Sequence, residues 1–111
     1  MDERSDRIGR NEALFRTVNE RVREVNEAFS VVLEQSDFVC ECGDGECAET
    51  IRLTLDEYEQ VRADPTQFAV VPGHEIPDVE TVVFANDRYA LLRKDPGGPA
   101  RLAAETDPRS D

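Results

Sequence analysis

Apolar residues fall at Phe15, Val18, Val22, Val25, Phe29 and Val32, in steps of three and four that alternate without a miss. That spacing keeps one narrow face of an α-helix apolar and predicts a helix from about Asn11 to Gln35. Asn11 is an acceptable N-cap, no Pro or Gly interrupts the run, and Leu14, Ala28 and Leu33 widen the stripe. The expected role of this face is to cover the protein's own sheet. Its heptad-like seam also suits a helix–helix contact, with a partner or within a homodimer through Phe15–Val32.

Downstream the period changes. Ala48 to Leu53 reads as a short strand, and Thr54-Leu55-Asp56-Glu57 has the capping-box pattern that opens a helix over about Leu55 to Ala63. Asp64-Pro65 stops it. Phe68 to Val71 is a strand ending at Pro72-Gly73. Thr81 to Ala85 and Tyr89 to Leu92 are two strands joined by a turn at Asn86-Asp87-Arg88. From Asp95 onward Pro, Gly, Ala and charge dominate. The expected organisation is a frayed N-terminus over 1–10, one domain over 11–94 and a flexible tail over 95–111. The fold class is α+β: a long N-terminal amphipathic helix on a small, mostly antiparallel sheet, with one short helix and a metal-binding knuckle.

Charge narrows the partners. The net charge is -12, and its distribution is uneven. From Met1 to Leu33 there are six basic and seven acidic residues; between Glu34 and Asp87, fourteen acidic residues face Arg52 and Arg62 alone. Phosphate-backbone binding draws on clustered Lys and Arg, so direct nucleic-acid binding is not expected. A basic protein partner is compatible, and a merely solubilising surface is the plainer reading. No apolar run reaches the ~18 residues of a membrane span, and the N-terminus lacks the basic start and apolar stretch of a secretory signal. An odd cysteine count, three, without such a signal points to reduced thiols in the cytoplasm rather than a disulfide framework.

All three cysteines lie within eight residues, Cys40-Glu41-Cys42-Gly43-Asp44-Gly45-Glu46-Cys47, and the single histidine is His74. Three thiols and an imidazole are the number and kind of ligands a closed tetrahedral zinc site takes. Cys40 and Cys42, two apart on an extended segment, point to one face, and Cys47 returns after a turn carrying Gly43 and Gly45. His74 closes the set if strand Phe68–Val71 lies beside the cysteine segment. The predicted site is therefore Cys40, Cys42, Cys47 and His74 around zinc. Free thiols with His74 as a turn residue is the plainer alternative.

An iron–sulfur cluster is the rival cofactor. The C-x-C opening resembles that of CDGSH-type [2Fe-2S] proteins, but those place the His a few residues after the third Cys, and here twenty-six residues intervene. A catalytic zinc would need an open position and a nearby acid or base; Glu41 and Glu75 are the candidates by position for a metal-dependent hydrolase. With four ligands for four positions, a closed, non-catalytic site is the simpler account. The leading expectation is a zinc-stabilised protein-interaction module with an acidic face, and the second is a zinc–thiolate redox switch.

Several strings together carry a resemblance: Phe15-Arg16-x-Val18-Asn19-Glu20, Phe38-x-Cys40-Glu41-Cys42, Cys47, Leu55-x-x-Tyr58-Glu59-x-Val61-Arg62, Phe68-x-Val70-x-Pro72-Gly73-His74 and Glu80-x-Val82-Val83. Over residues 11 to 94 the chain resembles a group of small, uncharacterised bacterial proteins. The resemblance implies only that the three Cys and the His travel in one module with the Tyr58–Arg62 helix.

Overall fold

Helix α1 spans Glu3–Glu27 and starts where the Ser5 backbone N–H donates to the Asp2 carboxylate at 2.7 Å, an N-cap nine residues before expected Asn11. The computed structural model describes residues 2–27 and 35–109, so Phe29, Val32 and the expected end of the helix near Gln35 lie outside or at the edge of the described residues. Strand β1 (Ser36–Val39) pairs antiparallel with β2 (Thr50–Leu53), Phe38 opposite Ile51. Helix α2 (Leu55–Arg62) follows, then β3 (Gln67–Val70), β4 (Glu80–Ala85) and β5 (Ala90–Lys94), forming an antiparallel sheet in the order β3-β5-β4. Helix α3 (Gly98–Glu105) is the last element among the described residues.

Local sequence accounts for these elements. The Thr54 hydroxyl accepts from the Glu57 N–H at 3.0 Å while the Glu57 carboxylate accepts from the Thr54 N–H at 2.9 Å, so the capping box forms as predicted. At the β4–β5 turn the Asn86 side chain accepts from the N–H groups of Arg88 and Tyr89, which sets the register of the hairpin. The core lies between β1–β2, α2 and the second sheet: Phe38, Ile51, Leu53, Tyr58, Val61, Ala69 and Tyr89, with Phe38 and Tyr58 stacked at 4.5 Å.

Two expectations need correction. Within the expected frayed stretch 1–10, residues 3–10 are helical, and Ile8 and Gly9 are buried on α1. The expected flexible tail carries α3, which packs on α1 and β5 through buried Leu102 and Ala103. Pro99 in its first turn is the signal that composition concealed, because proline is tolerated where a helix N–H has no partner.

The larger surprise is which side of α1 faces in. The buried positions are Ile8, Gly9, Glu12, Ala13, Arg16 and Asn19, whereas Leu14, Val18 and Val25 are exposed at 61%, 39% and 61%. Of the described seam residues expected to cover the sheet, Val18 and Val25 point outward, Phe15 is half-buried, and Val22 packs against the core. The buried polar groups are held from distant segments. Lys94 Nζ donates to Glu12 at 2.6 Å and to Glu80 at 3.0 Å. Arg16 donates to the carbonyls of Pro65 and Ala103 and the Thr106 hydroxyl, with its guanidinium 4.8 Å over Phe68. Asn19 pairs with β1 like an added strand, donating to Val39 O and accepting from Val39 N, both at 2.8 Å.

Candidate metal centre

The segment leaving β1 bridges both sheets, and that bridge builds the site. The Cys40 N–H donates to Glu49 O at 3.0 Å, and one residue on the Glu41 N–H donates to Ala69 O of β3 at 2.8 Å. The chain is extended here, so side chains alternate. Cys40 and Cys42 point to one side; Glu41 points to the other. Their turn returns through Gly43, where a Cβ would come within 2.5 Å of Ile8 and 2.9 Å of Ile76. Gly43 is thus needed for close approach of α1, and its φ is not positive. Asn11, which does not cap the helix, donates to Gly43 O at 2.8 Å and ties α1 to this turn. On the far side β3 runs into Val71-Pro72-Gly73, and Gly73 takes φ +96°, a conformation glycine adopts without strain. His74 follows directly.

The structure brings the four predicted residues together. One donor atom from each of Cys40, Cys42, Cys47 and His74 lies within 4.8 Å of every other. His74 Nδ1 sits 3.5 Å from Cys40 Sγ and 3.8 Å from Cys47 Sγ. The edges of a zinc tetrahedron with sulfur and nitrogen ligands are roughly 3.6 Å, so these separations fit one divalent cation. This is a Cys3His group able to hold a metal ion.

Protonation of the thiols is mutual. A hydrogen bond from Cys40 lowers the Cys42 thiol to about 5, with the burial of its sulfur working against it. The same contact, together with burial, pushes Cys40 well up, and burial raises Cys47. Three thiols this close share negative charge reluctantly, and a cation is what would let all of them ionise. Two main-chain groups already serve the sulfurs: the Val71 N–H donates to Cys40 Sγ at 3.2 Å, and Cys42 Sγ lies 3.9 Å from Asp44 O.

The carboxylates sort differently from expectation. Glu41, a candidate catalytic base, is completely buried and faces away from the sulfurs. It accepts from Arg62 at 2.7 and 3.0 Å, from Asn19 at 2.8 Å and from the Ala69 N–H at 3.0 Å. Such a carboxylate has no free lone pair to offer a water, so Glu41 is a structural anchor. Glu75 folds back to accept from the Gly73 N–H at 3.1 Å. The carboxylate that does serve the site is Glu49, whose Oε2 is 3.0 Å from His74 Nε2. With Nε2 so engaged, Nδ1 is the nitrogen turned to the cysteines. A carboxylate on the outer ring nitrogen fixes tautomer and orientation in metal sites generally. Sequence reasoning missed Glu49; its one signal was its place two residues after Cys47, opposite Cys40.

Among the described residues no helix is long and apolar enough to cross a membrane. No family model, no curated protein and no solved structure matches this chain.

Proposed function

We propose that this chain is a non-catalytic, zinc-stabilised protein-interaction module working in the reducing environment of the cytoplasm. The observation that carries the reading is the convergence of four donor atoms, three from one turn and one from beyond β3, within 4.8 Å. Zinc suits thiolate and imidazole at a closed four-ligand site. The cation would join the β1 extension to the end of β3, so its binding energy would be folding energy. The acidic middle of the chain offers a surface to a basic partner protein, in keeping with fourteen acidic residues against two basic ones between 34 and 87. Elemental analysis of purified protein should give about one zinc per chain, and less in His74→Ala. A brown, absorbing sample would assign an iron–sulfur cluster instead. Full melting temperature and unchanged spectrum after chelation would end the reading.

A redox switch is the second reading, supported by unequal access: Cys40 and Cys42 are 1% and 2% exposed, Cys47 half-buried. A hydroperoxide would meet Cys47 first, and the resulting sulfenic acid would condense with a neighbouring thiolate, forming a disulfide, releasing hydroxide and loosening the metal. Zinc release by peroxide that thiol reductant reverses would favour the switch over the static module.

A further inference from the structure

We propose that the outward apolar stripe of α1 is a self-association surface that packs against the same stripe of a second copy of this chain. The proposal names a partner for the interaction module above and rests on that reading only in treating the protein as one that binds protein. An amphipathic helix ordinarily buries its apolar side. Here the inward positions are Glu12, Arg16 and Asn19, while Leu14, Val18 and Val25 lie outside, with Val22 half-covered. At ~100° per residue the two stripes are separated by roughly 140° around the helix. The charged stripe is held by Lys94, Thr106, Glu41 and the carbonyls of Pro65 and Ala103, so turning the helix over to hide the apolar one would break these contacts. Alongside it runs an open groove of about 450 Å³ lined by Val18, Arg21, Val22, Val25 and Asn26.

Three features choose the occupant. The four-four-three spacing of Leu14, Val18, Val22 and Val25 is met by another helix with a similar period, not by a strand or a loop. Among the described residues α2 and α3 are eight residues each, and the one helix offering such a seam is α1 itself. Charge points the same way. Two copies meeting through acidic residues 34–87 would repel, whereas residues 1–33 are nearly balanced, six basic against seven acidic. A basic protein would prefer the acidic middle. An anionic lipid surface would want an excess of Lys and Arg beside the stripe, and Arg21 is instead paired with Glu24 at 3.3 Å. The stripe from Leu14 to Val25 is about 17 Å long at 1.5 Å per residue, short of a permanent interface, so the contact is a reversible one.

Sedimentation of the metal-loaded full chain from about 5 to about 500 μM tests this, a range that spans reversible contacts of modest area. The parent is expected to shift from monomer to dimer. Val18→Glu/Val25→Glu, at exposed positions, should move the midpoint up by about tenfold or more, with helicity and metal content unchanged. Leu14→Lys, further along the stripe, should do the same if the double variant folds poorly. Phe84→Glu, on the exposed edge strand β4, should leave the midpoint where it was. A parent that stays monomeric throughout overturns the proposal. So does a dimer lost on Phe84→Glu and kept in the stripe variants, or a monomer that binds phosphatidylglycerol vesicles through the stripe. Metal content measured on the same samples separates the two readings: zinc with no dimer sinks this one alone, and a dimer without zinc sinks only the metal reading.

Discussion

Two buried charge clusters hold α1 to the rest of the molecule, and they are built on opposite principles. Beneath the cysteine turn Glu41 meets Arg62 in a two-pronged pair, and Asn19 and the Ala69 N–H take its remaining capacity. One acid meets one base, and every oxygen is used. About two turns closer to the helix N-terminus, Glu12 and Glu80 share the single ammonium of Lys94, and Glu12 Oε2 has no hydrogen-bond partner. Two acids meet one base. Burial, then the hydrogen bond and repulsion from Glu80, raise the Glu12 carboxyl to about 9 against the pull of Lys94. The first cluster is neutral by pairing, the second by keeping a proton. Burying charge is tolerable either way, and the second arrangement ties stability to pH on the alkaline side.

The paired cluster is the more sensitive of the two to substitution. Arg62→Met leaves Glu41 buried without its cation, and the expected loss is about 3–5 kcal/mol in urea unfolding. Glu41→Leu/Arg62→Met should recover only part of it, because one Asn19 side-chain N–H and the Ala69 N–H would then lack an acceptor. Full recovery would reduce Glu41 to one half of an ion pair.

The proton-holding cluster gives the next effect. Glu12 carries a folded pKa above its unfolded value of 4.5, so between 4.5 and about 9 the folded state binds more protons than the unfolded chain. Its contribution is complete at the acid end and is lost as pH rises through about 9. Glu12→Gln, unable to ionise, should melt progressively higher than the parent from pH 6 to pH 9. Taking the difference at each pH cancels the rising metal affinity common to both proteins. Parallel profiles would show that Glu12 is ionised in the folded state at neutral pH.

Glu49→Ala should weaken zinc binding by about tenfold in chelator competition and leave the metal-free protein's unfolding unchanged. A fall in metal-free stability would make Glu49 part of the fold rather than a support for His74. Thr54→Ala, remote from both clusters, sets the scale for an ordinary local defect at about 1 kcal/mol.

Much of this architecture is legible in the chain, for local reasons. The capping box at Thr54–Glu57, the hairpin at Asn86 and the Cys3His set are read from residues whose chemistry acts over a few positions or has few alternatives. The orientation of α1 was hidden. Glu12, Arg16 and Asn19 look like a solvated face until Lys94, Pro65, Ala103 and Glu41 arrive from elsewhere in the chain to receive them. Hydrophobic periodicity marks a helix reliably and says little about which side a protein covers when the covered side is polar. Glu41 misled for a related reason: proximity to ligands in sequence suggested chemistry, whereas strand alternation sends it the opposite way.

That alternation has a consequence for how the module can vary. Because Cys40 and Cys42 look outward to the sulfur cluster while Glu41 looks inward to Arg62, the tripeptide acts as a three-position ratchet. Deleting or adding a single residue within it would advance the pattern one notch, presenting a carboxylate to the imidazole and burying a thiol against a guanidinium. Substitutions at neighbouring surface positions leave the ratchet alone, but length changes here strike both the cation site and the helix anchor at once. A two-residue spacer of the kind common in zinc knuckles could not do both tasks, and the one-residue spacer is the shortest that can.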